Sequence, residues 1–244
     1  MLIDSYKNKE KILKNFLKIS ETEGWSEKAM IQAFEESEIN PSYQKIIFEN
    51  GIIDLAEFFI SYNNQKTYDE ILKIENFHQK KIREKILIFL YNRFIIEKNN
   101  KIAIRRLINF YLDPKNLCNI NVGVRPVATA MKSSYLIADF IWLSIKDSST
   151  DYNFYTKRLI LSKIIIRVLS KFLNDNSDEL SETKLLIDKE IEKVMKFEKL
   201  KSKFKSFANS KFSELDLEFC NKDISFESIK DSLKKLPFIR LINK

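Results

Sequence analysis

A run of apolar residues at helical spacing, from Leu159 to Phe172, constrains the fold of this chain more than any other feature. Ser148, Ser149 and Thr150 form a polar stop before it. The hydroxyl of Ser149 or Thr150 can accept a hydrogen bond from a free N–H of the first helical turn. Asp151 follows, where a negative charge favours the positive end of the helix dipole. The apolar face is too wide for a surface helix, so we predict a central core helix. Its apolar residues are Leu159, Ile160, Ile164, Ile165, Val168, Leu169 and Phe172.

Three aromatic rings crowd the start of this predicted helix, at Tyr152, Phe154 and Tyr155. Consecutive helix positions point about 100° apart, so the three rings cannot all face one core. At least one ring should therefore be exposed or cover a groove, next to the cations Lys157 and Arg158. An exposed ring among polar residues is typical of a contact site.

Glycine and proline are scarce, with 3 Gly and 4 Pro among 244 residues. All-β folds need many tight turns, so this scarcity favours helices, and we predict an all-α fold. The 42 basic residues exceed the 34 acidic ones, which gives a formal net charge of +8. A basic surface suits nucleic acid or an anionic membrane leaflet, and the charge alone does not choose between them.

The sequence lacks the usual signals for membrane insertion or secretion. No run reaches about 18 uncharged apolar residues, so we predict no membrane-spanning helix. Residues 1–20 carry Asp4 and Glu10 and lack the apolar region of a signal peptide. Cys118 and Cys220 lie far apart without a CxxC spacing, which indicates free thiols in a reducing compartment. We therefore expect a bacterial cytoplasm, with an organellar matrix as the alternative.

Three short helices are predicted near the N-terminus: over residues 6–19, from an N-cap at Ser26, and over residues 43–48, with Gly24 ending the first. Short helices with tight connections are typical of the DNA-reading unit of TetR-type regulators. The third helix would read the DNA, yet it has no arginine, the residue that most often contacts base edges. We therefore predict no specific duplex binding. A ligand-responsive TetR-type transcription regulator stays the alternative function.

Further helices are predicted over residues 52–62, 101–112, 127–145 and 183–208, and residues 68–98 form one long helix or two joined ones. None carries a catalytic pattern. Asp54 and Glu57 share a helix face without another ligand nearby, and His78 has no nucleophile motif beside it. We therefore predict no enzyme, no metal site and no cofactor. The domains that we expect are a three-helix unit over 1–50, a helical bundle over 51–209, and a linker with a terminal helix over 210–244.

The last stretch, residues 223–244, is amphipathic, with apolar residues at spacings of three and four and lysines beside them. Such a helix must pack on the body, on a partner or in a membrane interface. A basic cluster at Lys80, Lys81, Arg83 and Lys85 is either a solvated face or an electrostatic guide toward an anionic surface. The terminal residues that we expect to bind the membrane are Phe226, Ile229, Lys230, Leu233, Lys234 and Leu236.

Several sequence blocks in one order resemble an accessory family of coenzyme Q (ubiquinone) biosynthesis. STDYNFYTKR at 149–158 precedes the apolar helix, and LNDNSDELSET at 173–183 follows it. The blocks GWSEKAM at 24–30, IDLAEFF at 53–59, KIREKI at 81–86 and ADFIW at 138–142 agree in order. Each block is weak alone, and together they cover the chain from about Gly24 to Val194. The chain departs from the family at Phe154, where the family usually has Trp.

The resemblance implies a TetR-like fold and a non-catalytic protein that binds lipid and assists the hydroxylase acting on demethoxyubiquinone. An apolar cavity of the bundle would hold an isoprenoid quinone intermediate, and the terminal helix would touch the membrane. The aromatic residues around Phe154 and Tyr155, here called the aromatic front, would bind the hydroxylase. A homodimer, peripheral to a membrane, is expected. The residues implied for lipid binding are Met131, Leu136, Ile137, Leu159, Ile164 and Val168, and those for partner binding are Phe140, Ile141, Asp151, Phe154 and Tyr155.

The partner-binding residues lie just before and just after one turn of the chain. We therefore expect Phe140, Ile141, Phe154 and Tyr155 to form one exposed apolar patch. A lysine at Phe154 should then abolish hydroxylase binding and change the free energy of unfolding by no more than about 1 kcal/mol, as surface substitutions do.

Overall fold

The computed structural model describes the backbone of residues 5–113 and 126–211, with side chains over 5–113, 132–150 and 153–196. In these ranges every regular element is helical and no strand is present, so the predicted all-α class is confirmed. No helix among them combines the length and hydropathy that spanning a bilayer requires. Short 3-10 turns lie at Pro41–Tyr43, Phe77–Gln79, Lys98–Asn100 and Asp178–Leu180. In chain order, the helices are α1 (Tyr6–Glu23), α2 (Glu27–Glu36), α3 (Gln44–Ile47), α4 (Ile52–Leu72), α5 (Ile82–Glu97), α6 (Lys101–Leu112), α7 (Pro126–Ser144), α8 (Asp151–Phe172) and α9 (Ser181–Lys211).

The connection between α1 and α2 has the predicted end and cap. Gly24 follows α1 with a φ of +71°, which costs glycine little, and its N–H donates to the Ser20 carbonyl at 3.1 Å. Ser26 precedes α2, and its hydroxyl accepts from the Ala29 N–H at 3.2 Å. The glycine stop and the serine N-cap are therefore confirmed.

The N-terminal helices share a hydrophobic core with the helices that follow them. Phe16 of α1 packs on Trp25 with ring centroids 4.8 Å apart, and the Trp25 indole donates to the Ala103 carbonyl of α6 at 2.8 Å. Helix α1 also packs on α4, α4 on α5, and α7 on α8. By its contacts the chain divides into one unit at Met1–Val194 and another at Met195–Lys244. The domain boundary at residue 50 and the TetR-like arrangement stay predictions.

The predicted break between residues 62 and 68 is wrong, because α4 continues to Leu72. Asparagine is a weak helix former, and two asparagines fall in this segment. Both are buried and bonded: the Asn63 side-chain amide donates to Glu97 at 3.0 Å, and the Asn64 side-chain oxygen Oδ1 accepts from Arg93 at 2.5 Å. Both partners belong to α5, so hydrogen bonds between the two helices stabilise the helical conformation of α4 at these two asparagines.

Helix α7 ends in a tight turn with a left-handed residue. Lys146 has a φ of +60°, and its N–H donates to the Leu143 carbonyl at 3.0 Å. The Asp147 N–H donates to the Trp142 carbonyl, also at 3.0 Å. This pair of bonds is the Schellman arrangement, in which the residue after the helix adopts a left-handed conformation that favours glycine. The turn fixes the direction from which the chain enters α8.

Lys146→Gly is expected to raise the free energy of unfolding by about 1 kcal/mol, because a side chain at a left-handed position costs about that much. Urea unfolding followed by circular dichroism would measure the gain. Lys73→Gly is the matched control, since Lys73 also follows a helix but has a φ of −78°. Glycine there should give no gain. An equal effect at both positions would contradict the explanation.

Candidate functional site

The α7–α8 turn leads into the first turn of α8, where the predicted aromatic front lies. Thr150 occupies the N-cap position in an extended conformation, with φ −119° and ψ 169°. Its side chain makes no capping hydrogen bond to the described backbone, so that part of the prediction is wrong. Ser149 is not the N-cap, because Thr150 holds that position, and the Ser149 hydroxyl donates to the carboxylate of Asp147. The hydroxyl of Ser149 therefore stabilises the turn that precedes the helix.

The rings of Phe154 and Tyr155 pack against each other at the start of α8. Their centroids are 5.1 Å apart and their planes are inclined by 79°, an edge-to-face pair. Both side chains are half-buried. The guanidinium carbon of Arg158 lies 3.3 Å from the centroid of the Phe154 ring, so the cation covers one face of the ring. In the aromatic front, Phe154 and Tyr155 therefore form a packed pair of rings, and Arg158 stacks on the ring of Phe154.

Arg158 is fully buried, which is unusual for a cation. Its Nε donates to the Asp139 carboxylate of α7 at 2.5 Å, and its Nη1 donates to the Phe154 carbonyl at 3.1 Å. The same Nη1 lies 3.8 Å from the Asp147 carboxylate. Removing a charge from water costs several kcal/mol unless it is paired, and these partners offset that cost. Arg158 thereby connects α7, the turn and α8.

Asp147 is the acceptor at the centre of the turn. Its carboxylate accepts from the Lys157 ammonium at 2.7 Å, and that ammonium also lies 5.0 Å from the centroid of the Trp142 ring. Burial alone would raise the pKa of Asp147, but hydrogen bonds from Lys157 and Ser149 and the charge of Arg158 lower it below its usual value. The carboxylate therefore stays ionised and holds two neighbouring cations of α8 against the turn.

Two surface grooves flank the start of α5. One has a volume of about 260 Å³ and borders the α7–α8 turn. The other, of about 510 Å³, is lined by three of the four residues of the predicted basic cluster, and there Arg83 forms a 2.7 Å ion pair with Asp188 of α9. The smaller groove is lined by Ile82, Trp142, Ile145, Lys146, Asp147, Ser148, Ser149 and Lys157, and the larger by Lys80, Lys81, Arg83, Glu84, Leu87, Ile88 and Asp188.

Comparison with known proteins points to the segment that contains the α7–α8 turn and the ring pair of α8. A family model described as COQ9 matches residues 127–198, which include the α7–α8 turn and all of α8. A curated relative from Dictyostelium discoideum, the probable ubiquinone biosynthesis protein coq9, mitochondrial, is 26% identical over 199 residues. That alignment covers 80% of this chain, and the chain spans 62% of the length of the relative. The resemblance to the COQ9 family is confirmed.

The expected exposed patch is not present in the form predicted. Ile141, within the COQ9 match, is fully buried. Phe140 is half-buried, with its ring centroid 6.0 Å from that of Phe89 and 6.2 Å from that of Tyr68. These two residues face the core because α7 packs on α4 and α8, whereas the rings of α8 lie at the helix start. The side chain of Asp151 lies outside the described residues.

The residues implied for lipid binding lie on α7 and α8 in two different settings. Ile137, Ile164 and Val168 are buried members of the packed core. Leu136 is 36% exposed and Leu159 is half-buried. Neither of the two grooves is lined by any of these residues. Lipid binding stays a prediction. The side chain of Met131 lies outside the described residues, as do the residues predicted to bind the membrane, Phe226, Ile229, Lys230, Leu233, Lys234 and Leu236.

The sequence reasoning missed the charged residues that support the rings. Arg158 was noted only as a cation beside them, and Asp139 and Asp147 were not singled out. One available signal was the spacing of Phe154 and Arg158, because residues four apart lie on the same face of a helix. The ion pairs with α7 and the turn had no such local signal, since they join residues 11 to 19 positions apart.

Proposed function

We propose that this chain is a non-catalytic accessory protein of ubiquinone biosynthesis. It binds an isoprenoid quinone intermediate and presents it to the demethoxyubiquinone hydroxylase. The COQ9 match and the name of the Dictyostelium relative support this role. That relative is mitochondrial by name, and we place this protein at the matrix side of a membrane, or at the inner membrane of a bacterial cytoplasm.

The observation that carries the proposal is the ring pair at the start of α8, inside the matched segment. Phe154 and Tyr155 are both half-buried, so part of each residue is accessible to a partner. Aromatic side chains often dominate the binding energy of protein interfaces, because they bury a large area with few rotatable bonds. The hydroxylase would cover the accessible surface of Phe154 and Tyr155. Phe154 retains most of the contact area of the family's usual Trp but lacks its indole donor.

The lipid would bind on α7 and α8. We place the isoprenoid tail along α7 and α8, where Leu136 is exposed, Leu159 is half-buried, and Ile137, Ile164 and Val168 are buried. Apolar contact with a hydrocarbon tail contributes roughly 25 cal/mol per Å² of buried surface. Membrane contact by residues 223–244 and a homodimer belong to the same proposal.

Phe154→Ala should weaken binding of the purified hydroxylase by roughly 30-fold, the loss of about 2 kcal/mol that is typical of an aromatic hot spot. Phe154→Trp should strengthen binding, because it restores the indole donor. Biolayer interferometry with the full chain would give the dissociation constants, and mass spectrometry would test whether an isoprenoid quinone co-purifies.

The control for this experiment is Tyr6→Ala. Tyr6 is an aromatic residue of α1 that is 54% exposed and lies outside the COQ9 match. Its removal should leave hydroxylase binding unchanged. The proposal fails if the wild-type chain does not bind the hydroxylase, or if Phe154→Ala binds as tightly as the wild type.

A further inference from the structure

Arg158 has the largest side chain among the fully buried residues that the structure describes. Its partners come from three places: Asp139 on α7, Asp147 in the turn, and the carbonyl of Phe154 on its own helix. Lys157 also pairs with Asp147, so two carboxylates balance two cations, and the charge balance is met without the ring. The stacking on Phe154 is additional to these ion pairs.

The stacking constrains the ring in a way that the ion pairs alone would not. The guanidinium carbon lies 3.3 Å from the ring centroid, which is closer than many cation–π contacts and leaves no room for water between the two planes. A half-buried phenylalanine at a helix start would otherwise exchange between rotamers. Because α7 and the turn hold Arg158 from the other side, the ring is held through Arg158 by elements outside its own helix.

We propose that Arg158 is a positioning residue, which fixes the ring of Phe154 in the orientation that the hydroxylase binds. This inference rests on the proposed function. Ordering a side chain before binding reduces the entropy lost when the complex forms, so a fixed ring binds more tightly than a mobile ring of the same size. The role requires arginine, because a flat guanidinium can stack on the ring and donate to a carboxylate and a carbonyl at once, whereas an ammonium is a point charge without a stacking face.

Arg158→Lys separates this role from charge neutralisation, since lysine keeps the charge between Asp139 and Asp147 and loses the flat face. We expect hydroxylase affinity to fall roughly tenfold, with the melting temperature within a few degrees of the wild type. Arg167→Lys is the matched control. Arg167 lies on the same helix, is largely exposed and pairs with Glu190 at 3.2 Å, so its replacement should leave the affinity unchanged.

A spectroscopic measurement tests the ring without the partner. We would incorporate 4-fluorophenylalanine at position 154 and record the ¹⁹F NMR spectrum of the full chain, with and without Arg158→Lys. The wild-type background should give one sharp resonance, shifted by the adjacent guanidinium. Arg158→Lys should move it toward the position of a solvated ring and broaden it. Arg167→Lys should leave it in place.

The outcomes separate this inference from the proposed function. If the wild type does not bind the hydroxylase, the proposed function fails, and the ¹⁹F spectra alone decide whether Arg158 positions the ring. If the wild type binds and Arg158→Lys binds equally well, the inference is overturned while the proposed function stands. A ¹⁹F resonance that is unchanged by Arg158→Lys overturns the inference in either case. Should Arg158→Lys unfold the chain, Asp139→Asn gives the test instead, because it removes one of the two carboxylates that hold the guanidinium. This variant should lower the hydroxylase affinity and shift the ¹⁹F resonance, both by less than Arg158→Lys is expected to.

Discussion

Glu97→Ala is expected to lower the free energy of unfolding by about 3–5 kcal/mol, the loss found when one partner of a buried ion pair is removed. Glu97 accepts from the Arg93 guanidinium at 2.8 Å and from the Asn63 amide at 3.0 Å. All three residues are buried, each at most 5% exposed. Without the carboxylate, the guanidinium of Arg93 keeps only the Asn64 oxygen as a described partner, at 2.5 Å, and its charge is uncompensated.

Urea denaturation of the full chain would measure this loss. Glu70→Ala is the matched control, because Glu70 forms a 2.7 Å ion pair with Lys73 three residues away, and both side chains are more than half exposed. Exposed pairs contribute about 0–1 kcal/mol, so this variant should unfold close to the wild type. Similar losses in the two variants would show that the buried network between α4 and α5 stabilises the fold no more than an exposed ion pair does.

The second large effect is expected at Asp175, between α8 and α9. Its buried carboxylate accepts from the Thr183 N–H at 2.7 Å, the Thr183 hydroxyl at 2.6 Å, and both the N–H and the hydroxyl of Ser177. Asp175→Asn keeps the shape but turns an amide NH₂ toward one set of these donors. We expect a loss of about 2–3 kcal/mol at pH 7, as for hydrogen bonds to a charged acceptor. Asp178→Asn, at an exposed position nearby, should change stability by no more than about 0.5 kcal/mol.

The contribution of Asp175 should also depend on pH. Burial alone would raise the pKa of this carboxyl, but the hydrogen bonds from Ser177 and Thr183 outweigh burial and lower it well below its usual value. A lowered pKa in the folded state means that the stabilisation is complete above the unfolded-state pKa of about 3.9. It is lost as the pH falls from there through the folded-state pKa. Asp175→Asn should therefore flatten the acid side of a plot of unfolding free energy against pH, and an unchanged slope would contradict this explanation.

Prediction from the sequence succeeded where the signal lies in neighbouring residues. The predicted helix over residues 101–112 matches α6, and the central helix begins at Asp151 and ends at Phe172. Ser26 and Gly24 were recognised because N-caps and C-terminal glycines occupy fixed positions relative to the helix. The ring pair could be located for the same reason, since three aromatic residues in four positions cannot share one buried face.

Prediction failed where a residue's environment is made by distant segments. Arg158 looks like a surface cation in the sequence, yet carboxylates 11 and 19 residues earlier allow its burial. Ile141 was expected at the surface because it lies near the turn, but it is fully buried. The sequence reveals which residues could be apolar or charged neighbours, but not which of them face each other after the helices pack.

The helical class, the position of the central helix and the family resemblance were predictable from local patterns, because periodicity, caps and motifs do not depend on how the helices pack. Two other features depend on that packing: α4 continues through Asn63 and Asn64, and the guanidinium of Arg158 stacks on the ring of Phe154. Both outcomes depend on burying polar groups, which is favourable only when a partner from another element is already in place.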